Sequence, residues 1–223
     1  MSSIGKWLRP ALTVPKTSWS AGESNWKVSA KTFLVLILGL WLFGTGEAFL
    51  IDASIGQSPW VVLADGLAKT LDMTIGQTTF LTSVLVLLLW IPLKRRPGMG
   101  TLMNILVIAV AIDVMTPLLP TPTNVVAQTV EVLFGILLVG FASALYITCN
   151  VGSGPRDGLM TGLNEKTGIR IGRVRTGIEV IVLTIGWLLG GVVGVGTLLF
   201  ALLIGQSVAI AFGLVERISP QTS

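Results

Sequence analysis

Histidine is absent from this 223-residue chain, cysteine occurs once, and charged residues make up only 12% of it. The lack of histidine removes the commonest acid-base and metal-ligand side chain, and a single cysteine, Cys149, excludes an intramolecular disulfide. No nucleophile, base and orienting group occur at a recognisable spacing, so neither an enzyme nor a bound cofactor or metal is expected. Apolar residues fill the chain instead. They make up 52% of it, with a mean hydropathy of +0.83, more apolar surface than a soluble domain of this size could bury. The expected solvent is lipid.

A spanning helix needs roughly 20 apolar residues, and six stretches qualify: 32–52, 77–93, 99–118, 124–148, 173–192 and 195–214. Residues 1–31 are too polar to span and lack the apolar core of a secretory signal. There Trp7, Trp19 and Trp26 interleave with Lys6, Arg9, Lys16, Lys27 and Lys31, a mixture suited to a membrane interface. The net charge of +4 sits on loops beside the spans, where membrane orientation explains it better than nucleic acid, so no nucleic-acid partner is expected.

Slid against itself by 96 positions, the chain aligns without gaps from residue 44 to residue 102. Gly44 falls on Gly140, Gly56 on Gly152, Pro59 on Pro155, Ile75-Gly76 on Ile171-Gly172, and Gly98-x-Gly-Thr on Gly194-x-Gly-Thr. Chance similarity of Leu-rich spans would produce matches within spans, whereas these matches fall on the glycine and proline punctuation between them. The pattern predicts an all-α membrane protein: six transmembrane helices plus two short re-entrant or interfacial helices, 58–71 and 154–167. After the arm at 1–31, repeat 1 covers 32–118 and repeat 2 covers 124–217. Three spans per unit invert the second copy. With both termini in the cytoplasm, fourteen of the fifteen basic residues then lie inside, leaving only Lys69 outside.

The interruptions Ser54-Ile-Gly-Gln-Ser-Pro and Asn150-Val-Gly-Ser-Gly-Pro-Arg-Asp share one grammar, in which a span stops at glycine and proline opens a new helix, with Ser58 and Gly154 as N-caps. Broken segments at matched positions of inverted halves point to a transporter's binding site. The candidate substrate-binding residues are therefore Gly56, Gln57, Ser58, Pro59, Asn150, Gly152, Ser153, Gly154, Pro155, Arg156 and Asp157. Capped surface helices would use the same glycines and prolines. Arg156 is equally readable as a positive-inside anchor, and Asp157 as a charge complementing the helix dipole.

Glu47, Asp113 and Glu131 fall in the outer halves of their spans, with no basic residue at that level, and are candidates for proton or cation coupling. Their alternative roles are snorkelling and helix capping. Glu179 is placed to pair with Arg175 four residues earlier, and Asn104 and Gln206 to bond neighbouring helices. Gly186, Gly190 and Gly194 at four-residue spacing suggest a homodimer contact, or equally close packing within one subunit.

Gly152-Ser-Gly-Pro-Arg-Asp-Gly-Leu-Met, Gly172 and Gly194-x-Gly-Thr resemble the YczE/YitT group of bacterial integral membrane proteins, over about residues 32–217. The resemblance implies a multi-pass protein of the bacterial inner membrane. It adds a hint toward amino-acid- or vitamin-like compounds. The function expected is transport or facilitated passage of a small polar, zwitterion-compatible solute between the inverted repeats. The alternatives are a channel of the same architecture, or a regulatory or scaffolding membrane protein.

Overall fold

The computed structural model describes residues 10–11, 13–22 and 24–219. Lys6, Trp7 and Arg9 of the basic arm lie outside them. Among the described residues there are eight α-helices and no strand. Helices α1 (Ala30–Asp52), α5 (Val125–Thr148) and α8 (Val195–Ile218) contain 23, 24 and 24 residues. With α4 (Met99–Met115), which continues through a 3-10 turn to Leu118, they are the four helices long and apolar enough to cross a membrane. Helices α2 (Pro59–Leu71) and α3 (Ile75–Leu88) meet at a 112° bend and make a fifth crossing if counted together. Helices α6 (Pro155–Thr167) and α7 (Ile171–Leu188) complete the set. The chain is an all-α, multi-pass membrane protein.

Two of the six expected spans take a different form. α3 stops at Leu88, and hydrogen-bonded turns follow, with Trp90 N donating to Leu87 O at 3.0 Å and Ile91 N to Leu88 O at 3.1 Å. Pro92 accounts for the stop, because it lacks an N–H and disfavours helix at the residue before it. α7 begins at Ile171 and ends at Leu188, and Gly190 turns the chain with φ 93°. Arg173, Arg175 and Glu179 on α7 make it more polar than the four long helices.

Helices α1 and α5 cross at the centre, with α4 packed on α1, α8 on α5, α2 on α7 and α6 on α3. Small residues allow the close approach, which in lipid has to come from packing rather than from a hydrophobic drive. An ideal Cβ on Gly46 would lie 3.0 Å from Gly135 O, and one on Gly135 would lie 2.8 Å from Gly46 O. Gly44 packs against Ala111, and Gly140 against Ser207, so both members of one contact recur 96 residues later in the other.

The glycine ladder is used in the same way. Gly186 meets the backbone of Leu63, and Gly194 meets Ile55 O. Two of its three glycines thus pack within the chain.

The loops collect at two ends. At one, Ala21 N donates to Cys149 O at 2.8 Å, Trp19 Nε1 to Thr148 Oγ1 at 3.0 Å and Met99 N to Asn25 O at 3.0 Å, while Ser18 N reaches Ser219 O. The described part of the arm is therefore tied to the end that also holds Ser219, just past α8. At the other, Thr121 Oγ1 donates to Asp52 Oδ1 at 3.2 Å, and Lys69 Nζ donates to Gly190 O at 2.8 Å while pairing with Asp65 at 2.9 Å.

Candidate functional site

Both interruptions have the same backbone course. Ser54 and Asn150 are left-handed, with φ 58° and 54°, and Gly56 and Gly152 follow at φ 126° and 109°. Each break docks on the start of a helix from the other half: Gly196 N donates to Ile55 O at 2.9 Å, and Gly100 N to Val151 O at 2.8 Å. Gly98 and Gly194 are the N-caps of those helices. Their N–H groups donate to Thr101 Oγ1 at 3.1 Å and Thr197 Oγ1 at 3.3 Å. The four glycines leave room for backbone against backbone, and proline then opens α2 and α6 toward the interior.

Where α2 and α6 begin, the structure encloses a cavity of about 170 Å³. Sixteen of its lining residues form pairs separated by 96: Phe43 and Val139, Glu47 and Ser143, Ser58 and Gly154, Trp60 and Arg156, Thr79 and Arg175, Ser83 and Glu179, Asn104 and Phe200, Ile108 and Ile204. Equivalent positions of the two halves thus face one another across one space. Pro59, Tyr146 and Asp157 also line it.

The charges in the cavity are unequally divided. The first half contributes Glu47, which is 1% exposed and has an Oε2 without a hydrogen-bond partner. Ser58 Oγ and Thr79 Oγ1 are likewise buried and unpartnered. Ser58 caps α2 by backbone conformation only, since its hydroxyl makes no capping bond. The second half contributes Arg156, Asp157, Arg175 and Glu179. The Arg156 guanidinium stacks over Trp60, with Cζ 4.8 Å from the ring centroid, and its charge interacts with that of Glu47. Tyr146 Oη donates to Asp157 Oδ2 at 3.3 Å, and Arg175 pairs with Glu179 at 2.8 Å. Arg175 and Asp157 are exposed, whereas Trp60, Thr79 and Ser83 are buried. The cavity wall thus reaches the molecular surface beside Arg175 and Asp157 and is buried at Trp60, Thr79 and Ser83.

Of the sequence-derived candidates, Ser58, Pro59, Gly154, Arg156, Asp157 and Glu47 come together here. Gly56 and Gly152 form the docked turns instead, Asn150 is exposed with Nδ2 3.4 Å from Ala21 O, Gln57 and Ser153 lie in the breaks and Pro155 opens α6, all three outside the cavity lining. Asp113 caps the start of α3, accepting from Thr74 Oγ1 at 2.6 Å and from Gly76 N at 2.8 Å. Glu131 lies beside Asp52. The three outer carboxylates are thus dispersed rather than clustered, and Glu47 does have a basic neighbour, which α6 supplies by folding back into the interior.

Asn104 lines the cavity next to Gly154, while Gln206 is exposed on α8. Sequence reasoning missed Tyr146 and the faces of α3 and α7 that carry Thr79, Ser83, Arg175 and Glu179. The 96-residue offset pairs Thr79 with Arg175 and Ser83 with Glu179, and that correspondence was the signal that could have linked the two faces.

Comparison with known proteins gives a consistent picture. Residues 30–212 match the family of unknown function DUF6198. A Haemophilus influenzae protein called uncharacterized is 43% identical over 205 residues, covering 92% of this chain and 94% of that protein. The Bacillus subtilis uncharacterized membrane protein YczE is 32% identical over 169 residues, covering 75% of this chain and 79% of its own length. A second Bacillus subtilis protein, YyaS, is 24% identical over 184 residues, covering 81% of this chain and 92% of its own. No solved structure matches.

Proposed function

This chain belongs to the DUF6198 family and is a YczE-like membrane protein, and on that premise we propose that it carries a small polar solute across the bacterial inner membrane by way of the cavity between its halves. The observation that carries the reading is Glu47, a buried carboxylate with an unpartnered oxygen, facing Arg156 of the other half. An ionisable group at membrane depth costs several kcal/mol unless it serves a cavity or a partner, and the groups here converge on one cavity. The matched lining residues support two inverted units of three spans, with α3 and α7 as the shorter crossings and both termini in the cytoplasm. The basic residues and the arm gathered at one end agree with that orientation.

One-sided exposure favours a carrier over a channel, because a pore would have to pass Trp60, Thr79 and Ser83, all buried. A regulatory role for the N-terminal arm would leave the interior charges without a purpose. The test is uptake by the purified full chain in liposomes. Saturable flux that falls at least about tenfold in Glu47→Gln, with the protein still monodisperse, is the expected result; a factor of ten corresponds to about 1.4 kcal/mol in the transport barrier. Flux equal to protein-free liposomes for every solute tried would remove the reading.

A further inference from the structure

Resting on the cavity as the solute site, we propose that the ligand is a small amino-acid-type zwitterion, its carboxylate held by Arg156 and its ammonium group facing Glu47. Arg156 is positioned but not satisfied. Its guanidinium lies over Trp60, and among the described residues it makes no ion pair and no hydrogen bond. A stacked, planar fork with unfilled donors suits a carboxylate, which can accept two of them in parallel.

Glu47 is the complementary half. It is 1% exposed and its Oε2 is unpartnered. Although the charges of Arg156 and Glu47 interact, the two do not form a direct bridge. A ligand carrying both signs spans them and satisfies both.

The other charge classes fit less well. A simple anion would reach Arg156 only in the field of Glu47 and of Asp157, which Tyr146 already engages. A simple cation would meet the Arg156 guanidinium, which already occupies the face of Trp60 that could bind it. A neutral polyol would leave the buried Glu47 carboxylate and the partly buried Arg156 guanidinium uncompensated. The cavity volume of about 170 Å³ and the aliphatic Val139, Ile108 and Ile204 on its wall limit the side chain to a small apolar one.

The test uses four solutes of nearly equal size: alanine, lactate without the ammonium, alaninol without the carboxylate, and 1,2-propanediol with neither. Binding is read by calorimetry on the full chain in detergent, and uptake in liposomes. The expected result is saturable binding of alanine, with lactate and alaninol each weaker by about tenfold or more, one order of magnitude for each lost charge-assisted contact. Glu47→Gln should then narrow the gap between alanine and lactate, and Arg156→Gln the gap between alanine and alaninol. A purely structural role would lower all four together. Lactate, alaninol or propanediol bound as well as alanine by the native chain overturns the proposal, as does binding of none of the four, and neither result depends on the variants folding. Alanine bound selectively without uptake leaves the ligand class standing and rejects transport. Uptake of a different class does the reverse.

Discussion

At the scale of single residues, Gly56 and Gly154 occupy matched places in the breaks but carry different loads. Gly56 has φ 126°, and a Cβ there would lie 2.7 Å from Thr197 N. Gly154 has φ −60°, and its nearest neighbour to an added Cβ is Asn104 Nδ2 at 3.3 Å. The first position combines a backbone conformation that side chains rarely adopt with contact against another backbone. The second is an extended N-cap with a side chain for a neighbour. Gly56→Ala should therefore cost about 2–5 kcal/mol, from backbone strain and overpacking together. Gly154→Ala should cost less than about 1 kcal/mol, since the neighbour need move only slightly. Thermal unfolding of both in one detergent decides it, and equal midpoints would refute the distinction. The two matched positions are separated by the different partner each break meets.

At the scale of elements, α4 and α8 begin with the same device, a glycine N-cap followed at the third helical position by a threonine that accepts the glycine's N–H. Thr101 does more than Thr197, because its hydroxyl also donates to Ser153 O at 2.7 Å and so ties the second break to the start of α4. Thr101 is fully buried, and replacing it with valine keeps the shape while removing both bonds. Thr101→Val should destabilise by about 1–3 kcal/mol and Thr197→Val by about 1 kcal/mol or less. Denaturation of the pair in the same micelle checks the order, and a larger loss in Thr197→Val would contradict it. The repeated Gly-x-Gly-Thr string was visible in the sequence. That each string receives the break of the opposite half was not, because nothing local records which helix start a turn will dock upon.

At the scale of the whole molecule, the matched cavity wall and the unequal exposure of its two sides lead to an accessibility pattern. In a chain with Cys149 replaced by alanine, Ser219→Cys and Arg175→Cys should react with a membrane-impermeant thiol reagent from the side of the arm. Thr121→Cys should react from the opposite side only. Thr79→Cys, at a position 2% exposed, should be shielded from both sides in the form described here. Adding a transported solute should raise its labelling from the Thr121 side if the halves exchange their roles. Labelling of Ser219 and Thr121 from the same side would overturn the inverted arrangement.

By itself, the sequence determined the membrane class, the places where spans break, and the recurrence of the same glycine and proline punctuation 96 residues apart, because these depend on local properties: the apolar length a bilayer requires, the backbone freedom of glycine and the helix-opening geometry of proline. The short helices appear at Pro59–Leu71 and Pro155–Thr167, close to where those signals put them. Tertiary structure alone decided which charges meet. Glu47 and Arg156 are 109 positions apart on different halves, and only the fold of α6 back into the bundle brings their charges together. Asp113 and Glu131 share the sequence signature of Glu47, yet they are turned toward a helix start and toward Asp52. A carboxylate's role in a membrane interior follows from which neighbours lie within a few ångströms of it, and that depends on how the helices cross.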